Sequence, residues 1–141
     1  MTINVKYHAD IYPLKMTTNG DWCDLRAAED VEFKAGEYKL ISLGVSMQLP
    51  PGYEALVIPR SSTFKHWGLL QTNSCGLIDN SYCGDNDIWQ FPALATRDVL
   101  VEKNSRICQF RIQKKMEDVN FNTVIALNNT NRKGFGSSGV F

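Results

Sequence analysis

Ile41-Ser42-Leu43-Gly44-Val45-Ser46-Met47-Gln48-Leu49 alternates without a break: each odd position is apolar, each even one polar or glycine. A period of two sends successive side chains to opposite faces of an extended chain, so the stretch predicts a strand with one face in a core. The same period recurs in Cys108, Phe110 and Ile112, set between Gln109, Arg111 and Gln113, and again in Phe121, Thr123, Ile125 and Leu127. Both runs are read as strands, as is the N-terminal Met1-Thr2-Ile3-Asn4-Val5-Lys6-Tyr7. Between the runs lie Thr18-Asn19-Gly20-Asp21, Ala35-Gly36, Pro50-Pro51-Gly52, Cys83-Gly84-Asp85-Asn86 and Lys103-Asn104-Ser105, each built from residues that tight turns use. No long 3.6-residue rhythm interrupts this pattern. Only Ser61 to Trp67 suggests a helix, a short one that Ser61 or Ser62 could cap. Many short strands with frequent turns imply an all-β sandwich or barrel.

At 141 residues the chain is read as one domain, long enough to bury a core without disulfides or a structural metal. Its 15 basic and 15 acidic residues cancel, which argues against a protein whose main work is holding nucleic acid or an anionic membrane. Any anion it binds must be captured by a few placed donors. Cys23, Cys75, Cys83 and Cys108 form no CxxC pair, and only His8 and His66 could join them, a poor set for zinc. They are expected to be small buried hydrophobes. No membrane-spanning run and no signal peptide is read, so a reducing cytoplasm is the expected location. The domain is expected to cover residues 1–127. From Asn128 to Phe141, polar residues, then Arg132-Lys133, then a glycine-serine segment with one aromatic leave little to pack on the chain itself, so this tail is either flexible or ordered by something else.

Five stretches place polar residues or glycine where a β protein would otherwise alternate. In Asp24-Leu25-Arg26-Ala27-Ala28 the acid can be a turn or cap residue. Pro59-Arg60-Ser61-Ser62 sets a guanidinium and two hydroxyls at a helix entrance, which suits a phosphate as well as a plain capped helix. Gly76-Leu77-Ile78-Asp79-Asn80-Ser81-Tyr82-Cys83-Gly84-Asp85, extended upstream to Asn73, puts a carboxylate and an aromatic three residues apart, where they can edge one cavity; a structural turn uses the same residues. Arg106-Ile107-Cys108-Gln109 carries Gln109 on the polar face of its strand. Arg132-Lys133-Gly134-Phe135-Gly136-Ser137-Ser138-Gly139 combines two cations with glycines and hydroxyls whose amides can converge on an anion.

In order and spacing these five stretches resemble the five motifs of the trimeric deoxyuridine triphosphatase (dUTPase) family. The most specific pieces are Pro-Arg-Ser-Ser at 59–62, Gly-Leu-Ile-Asp-x-x-Tyr-x-Gly at 76–84, Arg-Ile-x-Gln at 106–109 and Gly-Phe-Gly-Ser-Ser-Gly at 134–139. The resemblance implies a distorted jelly roll and hydrolysis of dUTP to dUMP and pyrophosphate by water attack at the α-phosphorus, which keeps uracil out of DNA and supplies dUMP for thymidylate synthesis. Asp79 resembles the catalytic aspartate that orients the water and contacts the sugar 3′-hydroxyl. A carboxylate of ordinary acidity is ionised at pH 7 and can take that proton. Tyr82 is similar to the tyrosine that packs beneath deoxyribose and excludes a 2′-hydroxyl. Asn73 and the backbone of Gly76, Leu77 and Ile78 match the uracil-reading hairpin.

Arg60, Ser61, Ser62 and Gln109 match the phosphate-binding positions. Arg132, Ser137 and Ser138, with Gly136 between them, would grip the β- and γ-phosphates while Phe135 covers the base. Asp24 corresponds to the aspartate that organises Mg2+ through its water shell. The family implies a homotrimer with sites at subunit interfaces, each closed by another subunit's tail; no direct nucleic-acid or membrane partner is implied.

Departures from the motifs are Asp21-Trp22 in place of Ala-Gly, Ser81 and Cys83 in the third motif, and Arg132 only three residues before Phe135. Asp85-Asn86-Asp87-Ile88-Trp89-Gln90-Phe91-Pro92 resembles a variant of bacterial and phage members. Two other readings compete: a dCTP deaminase of the same fold, which lacks an extra carboxylate here, and a nucleotide-switched protein with a regulatory partner.

Overall fold

The computed structural model describes residues 1–141 and is built almost wholly of antiparallel strands. β1 (Asn4–Tyr7), β2 (Cys23–Arg26), β3 (Val31–Phe33), β4 (Tyr38–Ser42), β5 (Val45–Gln48) and β6 (Tyr53–Pro59) precede the one helix, α1 (Thr63–Trp67). β7 (Leu69–Gln71), β8 (Gly76–Ile78), β9 (Gln90–Ala95), β10 (Val99–Val101) and β11 (Arg106–Lys114) follow it. They form a four-stranded sheet ordered β2-β11-β6-β8, a three-stranded sheet β4-β9-β7, and the pairs β1-β5 and β3-β10. This is a distorted sandwich of short strands in the jelly-roll class, and no sheet closes into a barrel.

The decisive stretch is two strands rather than one. Its odd residues Ile41, Leu43, Val45, Met47 and Leu49 are all buried, as the alternation requires. At Gly44, however, the backbone takes φ 66°, and the chain leaves the sheet of β4 and β9 to pair β5 with β1. A strand that changes sheets at a sharp bend suits glycine, which reaches positive φ without a Cβ penalty. Space is also short there: a Cβ on Gly44 would lie 3.0 Å from that of Ala28.

The two larger sheets enclose the core. Leu25, Ala55, Val57, Ile107 and Phe110 face Ile41, Leu69, Phe91, Ala93 and Ala95. Trp89, fully buried, meets Phe110 edge to face at 5.2 Å, a favoured aromatic geometry. Ile107 and Cys108 are adjacent and both fully buried, because β11 slips register against β2 between Arg106 and Cys108. An inserted residue of this kind bends a strand and re-aims its neighbours.

Several expectations need correction. Phe121, Thr123, Ile125 and Leu127 form no strand; the last strand ends at Lys114, and Phe121, Ile125 and Leu127 are exposed. Their pattern calls for a sheet edge and an apolar surface that the single chain does not provide. The helix begins at Thr63, and Ser62, its N-cap residue, makes no side-chain cap. Of the four cysteines only Cys23 and Cys108 are buried; Cys75 and Cys83 lie in exposed turns. Burial pushes both inner thiols above their ordinary pKa, Cys108 strongly, with the Asp24 charge adding to the effect. Trp22, which stands where a glycine was expected, lies half-buried beneath the Arg111 guanidinium, 5.6 Å from it.

Because alanine at Gly44 would combine a left-handed backbone with a tight contact, Gly44→Ala should lower stability by about 1–3 kcal/mol in urea unfolding. An unchanged midpoint would show that the sheet switch does not need glycine.

Candidate active site

The end of β6 is held by a buried hydroxyl. Thr63 Oγ1 accepts the Arg60 amide at 2.9 Å and donates to the Ile107 carbonyl at 2.8 Å, beside the irregularity in β11. This fixes the turn from β6 into α1 and aims Arg60 across β11. Its Nε meets Asp24 Oδ1 at 3.0 Å, and its Nη1 donates to the Arg106 carbonyl at 3.0 Å. Arg106 Nη1 takes the other carboxylate oxygen, Oδ2, at 3.1 Å. Asp24 is therefore a strand residue of β2 clamped between two guanidiniums, not a turn acid, and the trio keeps a net positive charge. Gln109, opposite Asp24 in the ladder, donates its amide to the Pro59 carbonyl at 3.1 Å.

Beside this cluster opens a depression of about 310 Å³ lined by Lys15, Thr17, Thr18, Arg26 and Arg106 together with Asp24. Three cations against one carboxylate, with two hydroxyls, favour an anion. Arg106 stands in the Arg-Ile-x-Gln motif without a role of its own in the sequence reading, Thr18 opens the turn Thr18-Asn19-Gly20-Asp21, and Lys15 and Thr17 carry no sequence signal. Nothing in their local pattern distinguishes them from turn residues, since only the fold carries the loop over Asp24.

The second group surrounds β8, the edge strand of the four-stranded sheet. Asn73, Leu77, Ile78, Asp79 and Tyr82 line a depression of about 290 Å³ whose far wall includes Leu40, Ile88, Trp89 and Pro92. Asp79 and Tyr82 thus do edge one cavity. The Tyr82 amide donates to the Asp79 carbonyl at 3.0 Å, and the Tyr82 hydroxyl donates to the Ile88 carbonyl at 3.2 Å, which ties down the ring. Asn80 anchors the turn by donating to the carbonyls of Pro50 and Tyr53 at 2.8 and 2.9 Å. Because β8 pairs only with β6, one edge of Gly76, Leu77 and Ile78 is left unpaired.

The tail forms a third group. Arg132, Lys133, Phe135, Gly136, Ser137 and Ser138 surround a depression of their own, shaped by two successive turns (Ser137 amide to Gly134 carbonyl 3.2 Å, Gly139 amide to Gly136 carbonyl 2.9 Å). Phe135 is fully exposed.

One chain does not bring these groups together. In the order β2-β11-β6-β8, Asp24 lies on one edge strand and Asp79 follows the opposite one. Three inter-strand spacings separate those edges, about 14 Å. Arg60 widens the gap by reaching away from β8 towards β2. Nor does the molecule contain three His, Cys, Asp or Glu side chains grouped closely enough to cage a metal. No helix is long and apolar enough to cross a membrane.

The dUTPase family model matches residues 18–139. A prophage-derived deoxyuridine 5′-triphosphate nucleotidohydrolase of Bacillus subtilis is 55% identical over 141 residues, covering 99% of each chain. The dUTPase of Staphylococcus bacteriophage 80alpha, solved with dUpNHpp, superposes with a TM-score of 0.81 at 21% identity, covering 99% of both chains. The dUTPase of phage phi11 of S. aureus, described with a structural Mg(II) ion, gives a TM-score of 0.76 at 15% identity and covers 92% of this chain and 100% of that one.

The hydroxyl bridge makes Thr63 the residue to change. Thr63→Val keeps its volume but leaves the Arg60 amide and the Ile107 carbonyl unpaired, and should cost about 1–3 kcal/mol in urea unfolding. Wild-type stability would mean that the Arg60 turn is held by other contacts.

Proposed function

The chain belongs to the dUTPase family, and from that premise we propose how its residues divide the hydrolysis of dUTP to dUMP and pyrophosphate. Asp79 holds the attacking water and accepts its proton as the water oxygen bonds to the α-phosphorus and the α–β bridging bond breaks, releasing pyrophosphate. The observation that supports this most directly is the depression shared by Asp79, Tyr82 and Asn73 along an unpaired strand edge. The backbone groups along the unpaired edge of Gly76–Ile78 suit the edge of a pyrimidine, as they would suit another strand. The Tyr82 ring, held through its hydroxyl, forms a wall against which deoxyribose packs and a 2′-hydroxyl would collide. A steric wall is what this discrimination needs, because an apolar pocket alone rejects an added hydroxyl weakly.

Arg60, Ser61, Ser62 and Gln109 are assigned to the phosphates, with Arg106 and Asp24 orienting Arg60. Arg132, Ser137 and Ser138 close on the β- and γ-phosphates, and Phe135 covers the base, flanked by Gly136. Both oxygens of Asp24 are already engaged by guanidiniums. Asp24 would therefore serve Mg2+ through the ion's waters rather than as a direct ligand. When bound, Mg2+ would neutralise part of the phosphate charge.

The separation of these groups within one chain favours their meeting between copies of the chain. A homotrimer, each site taking Asp79 from one subunit, Arg60 from a second and the tail from another copy, fits the separation within one chain and obeys ordinary cyclic closure. The outward face of sheet β4-β9-β7 offers a surface for it: Tyr38, Leu40 and Leu70 are exposed, and Leu40 and Pro92 also rim the Asp79 depression. The same reading places the enzyme in the cytoplasm.

Three experiments test it. Pyrophosphate release should favour dUTP over dTTP, dCTP and UTP, and Asp79→Asn should lower it about 10²–10⁴-fold; full activity in that variant would refute the role of Asp79. Asp79→Asn and Arg60→Ala, each inactive alone, should regain about a quarter of wild-type activity when refolded as a one-to-one mixture, the share of interfaces at which intact halves meet at random. No recovery would place both residues in one subunit's site. Removing residues 132–141 should leave the assembly intact by sedimentation while most activity is lost; an unchanged rate would exclude the tail.

A further inference from the structure

We infer that Gln71, outside every motif so far assigned a role, is a positioning residue that sets which way the Asn73 amide faces and thereby helps the enzyme tell uracil from cytosine; this rests on the reading of Asn73 as a base-reading residue. Gln71 closes β7, two residues before Asn73, and its side chain lies half-buried against β6. Its Nε2 donates to the Val57 carbonyl at 3.1 Å and to Asn73 Oδ1 at 2.9 Å. The orientation of both amides follows from this chain of contacts. A backbone carbonyl only accepts, so the Gln71 atom facing Val57 must be the nitrogen. That nitrogen has one hydrogen left, and the Asn73 atom it meets must be an oxygen.

With Oδ1 turned back onto Gln71, Asn73 offers Nδ2, a donor, to the depression it shares with Asp79 and Tyr82. A donor facing position 4 of a pyrimidine pairs with the uracil carbonyl oxygen and opposes the cytosine amino group. Two further observations point to a role for the amide. Gln71 Oε1 is buried without a partner, a cost that a leucine of similar size would avoid. Gly76 also leaves room for the arrangement, since a Cβ there would sit 3.4 Å from Gln71 Nε2 and 3.3 Å from Val57 Cβ. The surrounding turn is fixed independently: the Thr72 amide donates to the Pro92 carbonyl at 3.1 Å, and Ser74 takes φ 59°.

The test is the ratio of kcat/KM for dUTP to that for dCTP, read as pyrophosphate release by the full-length enzyme. Gln71→Leu frees the Asn73 amide to turn and should lower the ratio about 2- to 10-fold, the range for one neutral hydrogen bond, chiefly through KM. An ionised Gln71→Glu side chain can only accept, so at a pH where it is ionised Asn73 turns its Nδ2 inward and presents Oδ1 to the base; the ratio should then fall further as dCTP use rises. A merely structural role would lower both substrates alike and leave the ratio at its wild-type value. If both Gln71 variants keep that value while Asn73→Ala lowers it, the inference about Gln71 is overturned and the reading of Asn73 stands. If Asn73→Ala also leaves it unchanged, Asn73 does not read the base and the Gln71 inference falls with it.

Discussion

The ladder between β6 and β11 is the constraint on which the rest of the molecule depends. Seven register pairs, from Cys108 opposite Pro59 to Lys114 opposite Tyr53, run through the middle of the four-stranded sheet, with β2 and β8 added on either side. Their inward side chains, Val57 and Phe110 among them, form one wall of the core, where Phe110 and Trp89 meet edge to face. At one end of the ladder Pro59 accepts the Gln109 amide and Arg60 passes over β11 to Asp24. The guanidinium pair therefore inherits its geometry from a rigid sheet rather than from a loop, and a group so placed needs little reorganisation when an anion arrives. The irregularity at Ile107 contributes too, turning Arg106 towards Asp24 and presenting the carbonyl that holds Thr63.

Much of this was legible in the sequence where periodicity carries the signal. The odd residues from Ile41 to Leu49 reveal their buried face, and the turn residues locate most strand ends. What periodicity does not reveal is the partner. Gly44 breaks no alternation, so the change of sheet at that residue leaves no trace in the pattern. Ile107 does break it, but one extra apolar residue beside Cys108 reads equally well as noise. The cysteines misled for a related reason: a small apolar side chain fits a core or a turn, and only neighbouring chain decides, burying Cys108 and exposing Cys83.

The site followed the same rule. Residue types in a fixed order resembled the motifs of one family, and Asp79, Tyr82 and Asn73 do share a depression. Pairwise contacts were beyond reach: the clamp of Arg60 and Arg106 on Asp24 spans 82 residues of sequence between its carboxylate and Arg106, and the amide chain from Val57 through Gln71 to Asn73 crosses two strands. Such contacts depend on strand order, which local sequence does not encode.

Two features that remain unsatisfied in one chain have a common physical origin. Phe121, Ile125 and Leu127 keep a strand's alternation with no strand beside them, and Asp79 follows the sheet edge opposite to that of Asp24, onto which Arg60 and Arg106 reach. A period of two states that a segment has an apolar face; it is silent about whose core receives that face. A motif likewise specifies which groups converge, not from how many chains they come. A chain that exposes Tyr38, Leu40 and Leu70 on one sheet and Phe121 and Ile125 beyond its last strand has more apolar surface than its own fold can cover. In the assembly proposed above, closing that surface and completing the nucleotide site would be one event, so affinity for dUTP and affinity between copies would be thermodynamically linked: substrate bound across an interface would stabilise the assembly that forms it.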